Sequence, residues 1–232
     1  MTEFSKLDKK IDRIRKKVRG LDERKIEGKV FDERTLLSLY TLANRGFVDV
    51  LYGSIKTGKE SCVFAGLGRR GEPLAVKIHN IGTSDYKAKL KYIYRDYRYN
   101  LRTARECGVS VPEPIAYRNN IIIMEFVGED GVPAPALRKY DLKAPRRMFN
   151  RIVEEIKKMY RCSLVHSDLS EYNILVRKDE PVLIDLSQSV VTSHPYAQEF
   201  LRRDIANICK FFRRYMHTEE DKVLKKVKAW SM

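Results

Sequence analysis

The run HSDLSEYN, residues 166–173, compresses His166, Asp168, Ser170 and Asn173 into one short stretch beside the apolar residues Ile174 to Val176. An Asp followed five residues later by Asn makes a loop with two uses. The carboxylate can meet an incoming hydroxyl, while the amide turns back toward magnesium on phosphates. Asp185 follows at the end of VLID, twelve residues beyond Asn173. A carboxylate leaving a strand beside that loop supplies the second, strongly charged magnesium contact. Far upstream, Lys77 sits in AVKI. Strand alternation sends Val76 and Ile78 to an apolar face and the ammonium to the other, where α- and β-phosphates could be neutralised.

Residues 53–61, GSIKTGKES, nearly satisfy the P-loop pattern G-x-x-x-x-G-K-[ST]. Glu60 stands where that motif needs a hydroxyl for magnesium, and Ser61 comes one residue late. A P-loop opens directly into a helix, whereas SCVFAGL continues as an alternating strand. The stretch therefore reads as a hairpin turn, with the Ser61 hydroxyl or N–H as a phosphate contact.

The elements that must carry these residues follow from periodicity. Leu7, Ile11, Ile14 and Val18 recur at helical spacing among Lys and Arg, a basic amphipathic helix. A second helix spans Asp32 to Arg45, with Asp32 as cap, Leu36, Leu39, Tyr40 and Ala43 as its stripe and Gly46 at its end. SCVFAGLGRRGEPLAVKI reads as two antiparallel strands joined at RRGEP. Residues 86–106 are helical in composition, GVSVPEPIAY breaks that helix, and NIIIMEFVG is a buried strand. DGVPAPAL connects two halves. Arg146 to Tyr160 forms a helix burying Met148, Phe149, Ile152, Ile156, Met159 and Tyr160; LVHSDLSEYNILV and PVLIDLSQSV are strand-like; the last clear helix runs from Glu199 to Arg213, with Leu201, Ile205, Ile208 and Phe212 inward.

At 232 residues the chain is long enough for a large core, as one domain or two closely packed lobes. No apolar run reaches the roughly 18 residues that span a bilayer, and the N-terminus lacks a signal-peptide core. A cytoplasmic protein with no membrane partner is expected. Cys62, Cys107, Cys162 and Cys209 are far apart, as are the four histidines, so no local zinc pair forms. In a reducing compartment the cysteines are expected as small apolar side chains. The net charge of +15 favours a polyanion such as RNA, or phosphorylated substrates.

A Gly-rich turn, a strand lysine, an Asp-x4-Asn loop and a strand-end Asp, in that order, are the parts of protein-kinase-like phosphoryl transfer. The turn, AVKI, MEFVGED, HSDLSEYNILV and IDLSQSV resemble the signature blocks of the RIO family of atypical serine/threonine kinases, from about Asp32 to Phe212. FDERTLLSLYTLANRGFVDV and the later His194–Pro195 resemble its first subclass, which has no N-terminal winged helix. The resemblance implies an α+β, protein-kinase-like two-lobed fold with a reduced C-terminal lobe. It divides into a helical extension over 1–48 packed on the kinase body, an N-lobe over 49–130 and a C-lobe over 131–232.

The resemblance also implies roles. Asp168 is the catalytic aspartate and Lys77 the phosphate-binding lysine. Asn173 and Asp185 are the metal ligands. Lys59, Glu60 and Ser61 belong to the nucleotide loop, and the backbone of Met124, Glu125 and Phe126 meets adenine. Ser170 stands where ordinary kinases often carry Lys. His166 orients the catalytic loop. ATP with Mg2+, or Mn2+ in its place, is the implied cofactor pair. The implied partners are a pre-small-ribosomal-subunit particle, with direct rRNA contact, and a protein Ser/Thr hydroxyl, the chain's own included.

The same site serves two uses, phosphotransfer or ATP hydrolysis as a timer on the particle. The alternative from another class is a basic ribosome- or RNA-binding protein using the kinase-like fold with little turnover. Two departures from the family stand out. Tyr97 occupies the place of the helix glutamate that pairs with the lysine, with Asp96 one position and about 100° away around the helix and Glu106 near the helix end. The interval from Lys77 to Gly108 is also shorter than the subclass carries.

Overall fold

A computed structural model describes residues 31–80 and 99–229. The amphipathic helix expected over residues 6–18, and Asp96 and Tyr97, lie outside the described residues. The described chain falls into two compact units, residues 31–80 with Pro114–Phe126, and residues 99–113 with 127–229.

The first unit begins with helix α1 (Glu33–Asn44), capped by Asp32, whose carboxylate accepts the Thr35 N–H at 2.8 Å. Its C-terminal turn closes through Gly46 at φ +82°, a left-handed position suited to glycine. Strands β1 (Val50–Thr57), β2 (Ser61–Leu67) and β3 (Pro73–His79) follow. They join β4 (Pro114–Arg118) and β5 (Ile121–Glu125) in a five-stranded sheet of order β1-β2-β3-β5-β4, antiparallel throughout. β1 and β2 approach so closely at Gly66 that a Cβ there would stand 2.8 Å from the Val50 carbonyl oxygen.

Period-2 alternation builds the core of this unit. Cys62 and Phe64 on β2, Leu74, Val76 and Ile78 on β3, and Ile121 and Ile123 on β5 pack with Leu39, Leu42, Val48 and Leu51. Buried Asn120, in the β4–β5 turn, donates to Thr35 Oγ1 at 2.7 Å and to the His79 carbonyl at 3.0 Å, tying α1 to the sheet.

The second unit is mostly helical. Residues 99–106 form helix α2, ahead of α3 (Pro145–Arg161), α4 (Ala197–Phe212) and α5 (Glu220–Lys228). α3 buries Met148, Phe149, Ile152, Val153, Ile156 and Met159, and Phe149 meets Phe212 of α4 edge-on at 5.2 Å. Tyr160, expected inward, is only partly buried. The strands here come in pairs: β6 (Gly128–Glu129) with β7 (Val132–Pro133), β9 (Ile174–Arg177) with β10 (Glu180–Leu183), and β8 (Leu164–Val165) with β11 (Val190–Val191). Lys178 and Asp179, both at positive φ, make the two-residue turn between β9 and β10. Short 3-10 turns at Leu137–Lys139 and Leu186–Gln188 complete the unit.

Several expectations need correction. Cys107 and Cys162 are joined by a disulfide, while Cys62 and Cys209 are buried free thiols. Two cysteines 55 positions apart carry no local pairing signal, so the expectation of four small apolar side chains fails for half of them. Neither β4 nor α5 is signalled by the sequence pattern. β4 hides in five residues after a proline-rich break, and α5 is a basic helix whose buried stripe is only Val223, Leu224 and Val227. Among the described residues no helix is long and apolar enough to cross a membrane.

Candidate active site

In the first unit Lys77 lies mid-strand on β3, opposite Val63 of β2 and Ile122 of β5. Its neighbours Val76 and Ile78 enter the core, so its side chain leaves the sheet by the other face, with those of Ala75 and His79. Lys77 is nevertheless 4% exposed, a buried amine rather than a surface one.

The turn between β1 and β2 is pinned from β3's end. Gly58 N–H donates to the Ser61 carbonyl at 2.9 Å. Asn80 donates its backbone N–H to the Glu60 carbonyl at 2.9 Å and its side-chain amide to the Lys59 carbonyl at 2.8 Å. The backbone of Lys59, Glu60 and Ser61 is thus fixed, while the Lys59 and Glu60 side chains stay exposed. GSIKTGKES is the end of one strand, a turn and the start of the next, as its alternation indicates, and no helix follows it. Met124 and Glu125 close β5, and Phe126 lies just past the ladder. Met124 and Phe126 are each 6% exposed.

In the second unit Asp168, Asn173 and Asp185 are brought together by two adjoining loops. The Asn173 amide nitrogen donates to the Asp168 carbonyl at 2.9 Å and to its carboxylate at 3.2 Å. The Ser170 carbonyl accepts the Asn173 N–H at 3.0 Å, closing the turn. Ile184 N–H donates to the Asn173 carbonyl at 3.0 Å, which sets Asp185 beside this loop. Asp185 stands at φ 66°, ψ 55°, and Ser187 Oγ donates to its carboxylate at 2.8 Å. That left-handed conformation costs roughly 1–2 kcal/mol for most L-residues, less for Asp. Ser167, at φ 63°, shares it.

His166, 3% exposed, bonds the Ile184 carbonyl through Nε2 at 3.0 Å, which requires Nε2 to carry the proton. The histidine therefore braces one loop against the other. Asp204, 1% exposed on α4, accepts the Ser167 and Leu169 N–H groups at 2.8 and 2.9 Å. Burial pushes its carboxyl up, against the downward pull of His166, those two N–H bonds and Arg203. Arg203 also donates to the Ser167 carbonyl, and Asn207 to that of Leu169 at 3.1 Å. Sequence reasoning missed Asp204. A signal was available: it falls three residues after Leu201 and four before Ile208, a carboxylate in phase with a buried stripe.

Asn173 fits a magnesium ligand. Its nitrogen is turned to Asp168, so its amide oxygen is the atom directed elsewhere, and Asp185 adds carboxylate oxygen nearby. Two protein oxygens, the rest supplied by phosphate and water, is a magnesium donor set. Among the described residues there is no group of three or more His, Cys, Asp and Glu side chains suited to a metal. Glu106 pairs with Arg102 on the surface at 2.7 Å.

A strand-borne lysine over an antiparallel sheet, with an Asp-x4-Asn loop and a strand-end Asp in a helical unit, defines a protein-kinase-like enzyme. The RIO domain family matches residues 62–224. The RIO-type serine/threonine-protein kinase Rio1 of Haloferax volcanii is 37% identical over 227 residues, covering 89% of this chain and 78% of that protein. Rio1 of Methanocaldococcus jannaschii is 40% identical over 223 residues, 87% and 76%. The crystal structure of the Rio2 kinase–ADP/Mg2+–phosphoaspartate complex from Chaetomium thermophilum superposes with a TM-score of 0.71 at 25% identity, over 85% of this chain and 67% of that one.

The chain belongs to the RIO family of atypical serine/threonine kinases, and it is closely related to the Rio1 subclass. Its fold is the protein-kinase-like fold of Rio2, with little sheet in the second unit. Its activity is that of the family, serine/threonine kinase and ATPase, of the Rio1 type that functions in ribosome biogenesis.

Proposed function

We propose that the chain transfers the γ-phosphoryl group of ATP through Asp168, Lys77, Asn173 and Asp185, in the service of small-subunit maturation. The observation that supports this is the coupling of Asn173 to Asp168 and of Ile184 to Asn173, which ties the Asp168–Asn173 loop to the chain that leads into Asp185. Asp168, exposed between the buried residues Ser167 and Leu169, orients a Ser/Thr hydroxyl or a water toward the γ-phosphorus. Lys77 neutralises α- and β-phosphate charge. Asn173 and Asp185 hold the metal, Mg2+ or Mn2+, which when bound neutralises charge on the phosphates. Lys59, Glu60 and Ser61 follow the phosphates, with Ser170 beside the attacking group, and the backbone of Met124, Glu125 and Phe126 receives adenine. Positioning and charge neutralisation are most of what phosphoryl transfer requires.

An N-lobe over 49–130 and a C-lobe over 131–232, with 1–48 as an extension, is the proposed domain plan. The proposed partners are a pre-small-ribosomal-subunit particle, including its rRNA, and protein hydroxyls, the chain's own among them. The net charge of +15 supports the RNA contact. A cytoplasmic setting is proposed with them. Cys107–Cys162 is the feature that a thiol-rich cytoplasm would oppose, except in organisms whose intracellular proteins keep disulfides.

Asp168→Ala is expected to abolish both phosphotransfer and ATPase turnover while ATP binding, followed by calorimetry, survives. Asp185→Ala is expected to weaken magnesium-dependent binding as well. Retention of most turnover by Asp168→Ala removes its assigned role. Comparing phosphate release with transfer to protein, with and without small-subunit particles, separates ATPase from kinase use.

A further inference from the structure

We infer that residues 99–111 clamp the loop carrying Asp185, with Asn100 as the positioning residue that sets the metal ligand. The inference rests on the reading of Asp185 as a metal ligand. Asn100, 3% exposed on α2, donates its side-chain amide to the Ser189 carbonyl at 2.9 Å across 89 positions of sequence. Ser189 is itself a junction. Its N–H closes on the Leu186 carbonyl at 3.2 Å and its hydroxyl donates to the His166 carbonyl at 3.2 Å.

The other end of the segment grips the chain before Asp185. Ser110 accepts the Leu183 N–H at 2.8 Å and donates its own N–H to the buried Glu155 carboxylate at 2.6 Å. One short segment therefore holds the backbone two residues before Asp185 and four residues after it. The segment is in turn fixed to α3 by Glu155 and covalently by Cys107–Cys162.

The chemistry needs such a grip. Magnesium demands near-ideal octahedral geometry at short distances, so a ligand on a loosened loop loses affinity steeply. Asp185 sits in a left-handed conformation that the surrounding bonds must hold. Asn100 has the buried amide placed to do this, and its partner is a backbone carbonyl that no other residue type at Ser189 would remove. Asn207, by contrast, makes a comparable amide-to-carbonyl bond to Leu169, on the Asp168 side.

The test measures Mn2+ affinity by electron paramagnetic resonance in the presence of a non-hydrolysable ATP analogue, with hydrogen exchange over residues 183–189 and kcat and KM for ATP alongside. Asn100→Ala is expected to weaken Mn2+ about tenfold and to speed exchange at 183–189. Its kcat should fall at sub-saturating metal and recover at high metal, with KM for ATP changed less than threefold. Asn207→Ala should leave Mn2+ affinity within twofold. Should Asn100→Ala not fold, the unaltered chain still decides: loading with Mg2+ and the analogue must slow exchange in residues 99–106 together with 183–189, since coupling is reciprocal. A folded Asn100→Ala with unchanged Mn2+ affinity, or loading that leaves 99–106 untouched, overturns the clamp alone. Failure of the unaltered chain to bind Mn2+ at all overturns the metal-site reading and the clamp with it.

Discussion

The proposed roles of Lys77 in the first unit and Asp168 in the second require each to be held to a fraction of an ångström, and the two units hold them by different means. Lys77 is placed by a strand: ladder bonds on both sides and the apolar residues Val76 and Ile78 locked into the core. Asp168 and Asp185 sit on loops with no ladder, braced by buried polar bonds from Asp204, His166, Ser189 and Asn100. A periodic element spreads the work over many weak contacts, and damage there lowers stability. A braced loop concentrates it in a few bonds, and damage there is expected to alter turnover.

Four experiments can break or sharpen that contrast, beginning with the largest effect. Reducing Cys107–Cys162, which closes a loop across a separation of 55 residues, is expected to destabilise the chain by up to roughly 4 kcal/mol. Hydrogen exchange should show the loss in α2 and α3 before the five-stranded sheet. Equal loss in both units would dissolve the distinction. Ile78→Ala, in the sheet core, is expected to cost about 3 kcal/mol by denaturant titration while kcat of the folded fraction changes less than twofold. A large drop in kcat would show that the sheet, too, transmits damage to chemistry.

Asp204→Asn keeps the shape but can accept only one of the two N–H groups from Ser167 and Leu169. The orphaned donor costs about 2 kcal/mol. If that falls on the loop geometry, kcat drops roughly thirtyfold at unchanged adenine binding. The smallest effect is Glu154. Its bond to Lys226 at 2.8 Å, followed by that residue's charge, holds its carboxyl below the usual range against the opposing effect of burial. A depressed folded value contributes stability above the unfolded value and loses it as pH falls through the folded one. Both side chains are 47% exposed, so screening leaves only a few tenths of a kcal/mol. Lys226→Ala should flatten the stability profile below about pH 5 by that amount.

The same contrast explains what the amino-acid sequence discloses. Alternation in SCVFAGL and PLAVKIH, the Asp32 cap and the stripe of α3 are repeated local signals, and the elements they indicate are present. Asp168, Asn173 and Asp185 carry a spacing tied to chemistry, so their meeting was legible. The braces were not. Asn100 and Ser189 are 89 positions apart, and a single polar residue in a helix gives no sign of its partner. Asp204 and Asn100 could have been flagged as polar groups in phase with buried neighbours, but not matched to the carbonyls and N–H groups they serve. Cys107 and Cys162 escaped for the same reason.

The disulfide has a topological consequence. The covalent ring from Cys107 to Cys162 contains Pro114–Phe126, the stretch that the first unit's sheet borrows for β4 and β5. A protease nick anywhere inside that ring, such as in the exposed Asp130–Pro133 turn, would leave both pieces joined. Such a chain would run as one species on a non-reducing gel and as two after reduction.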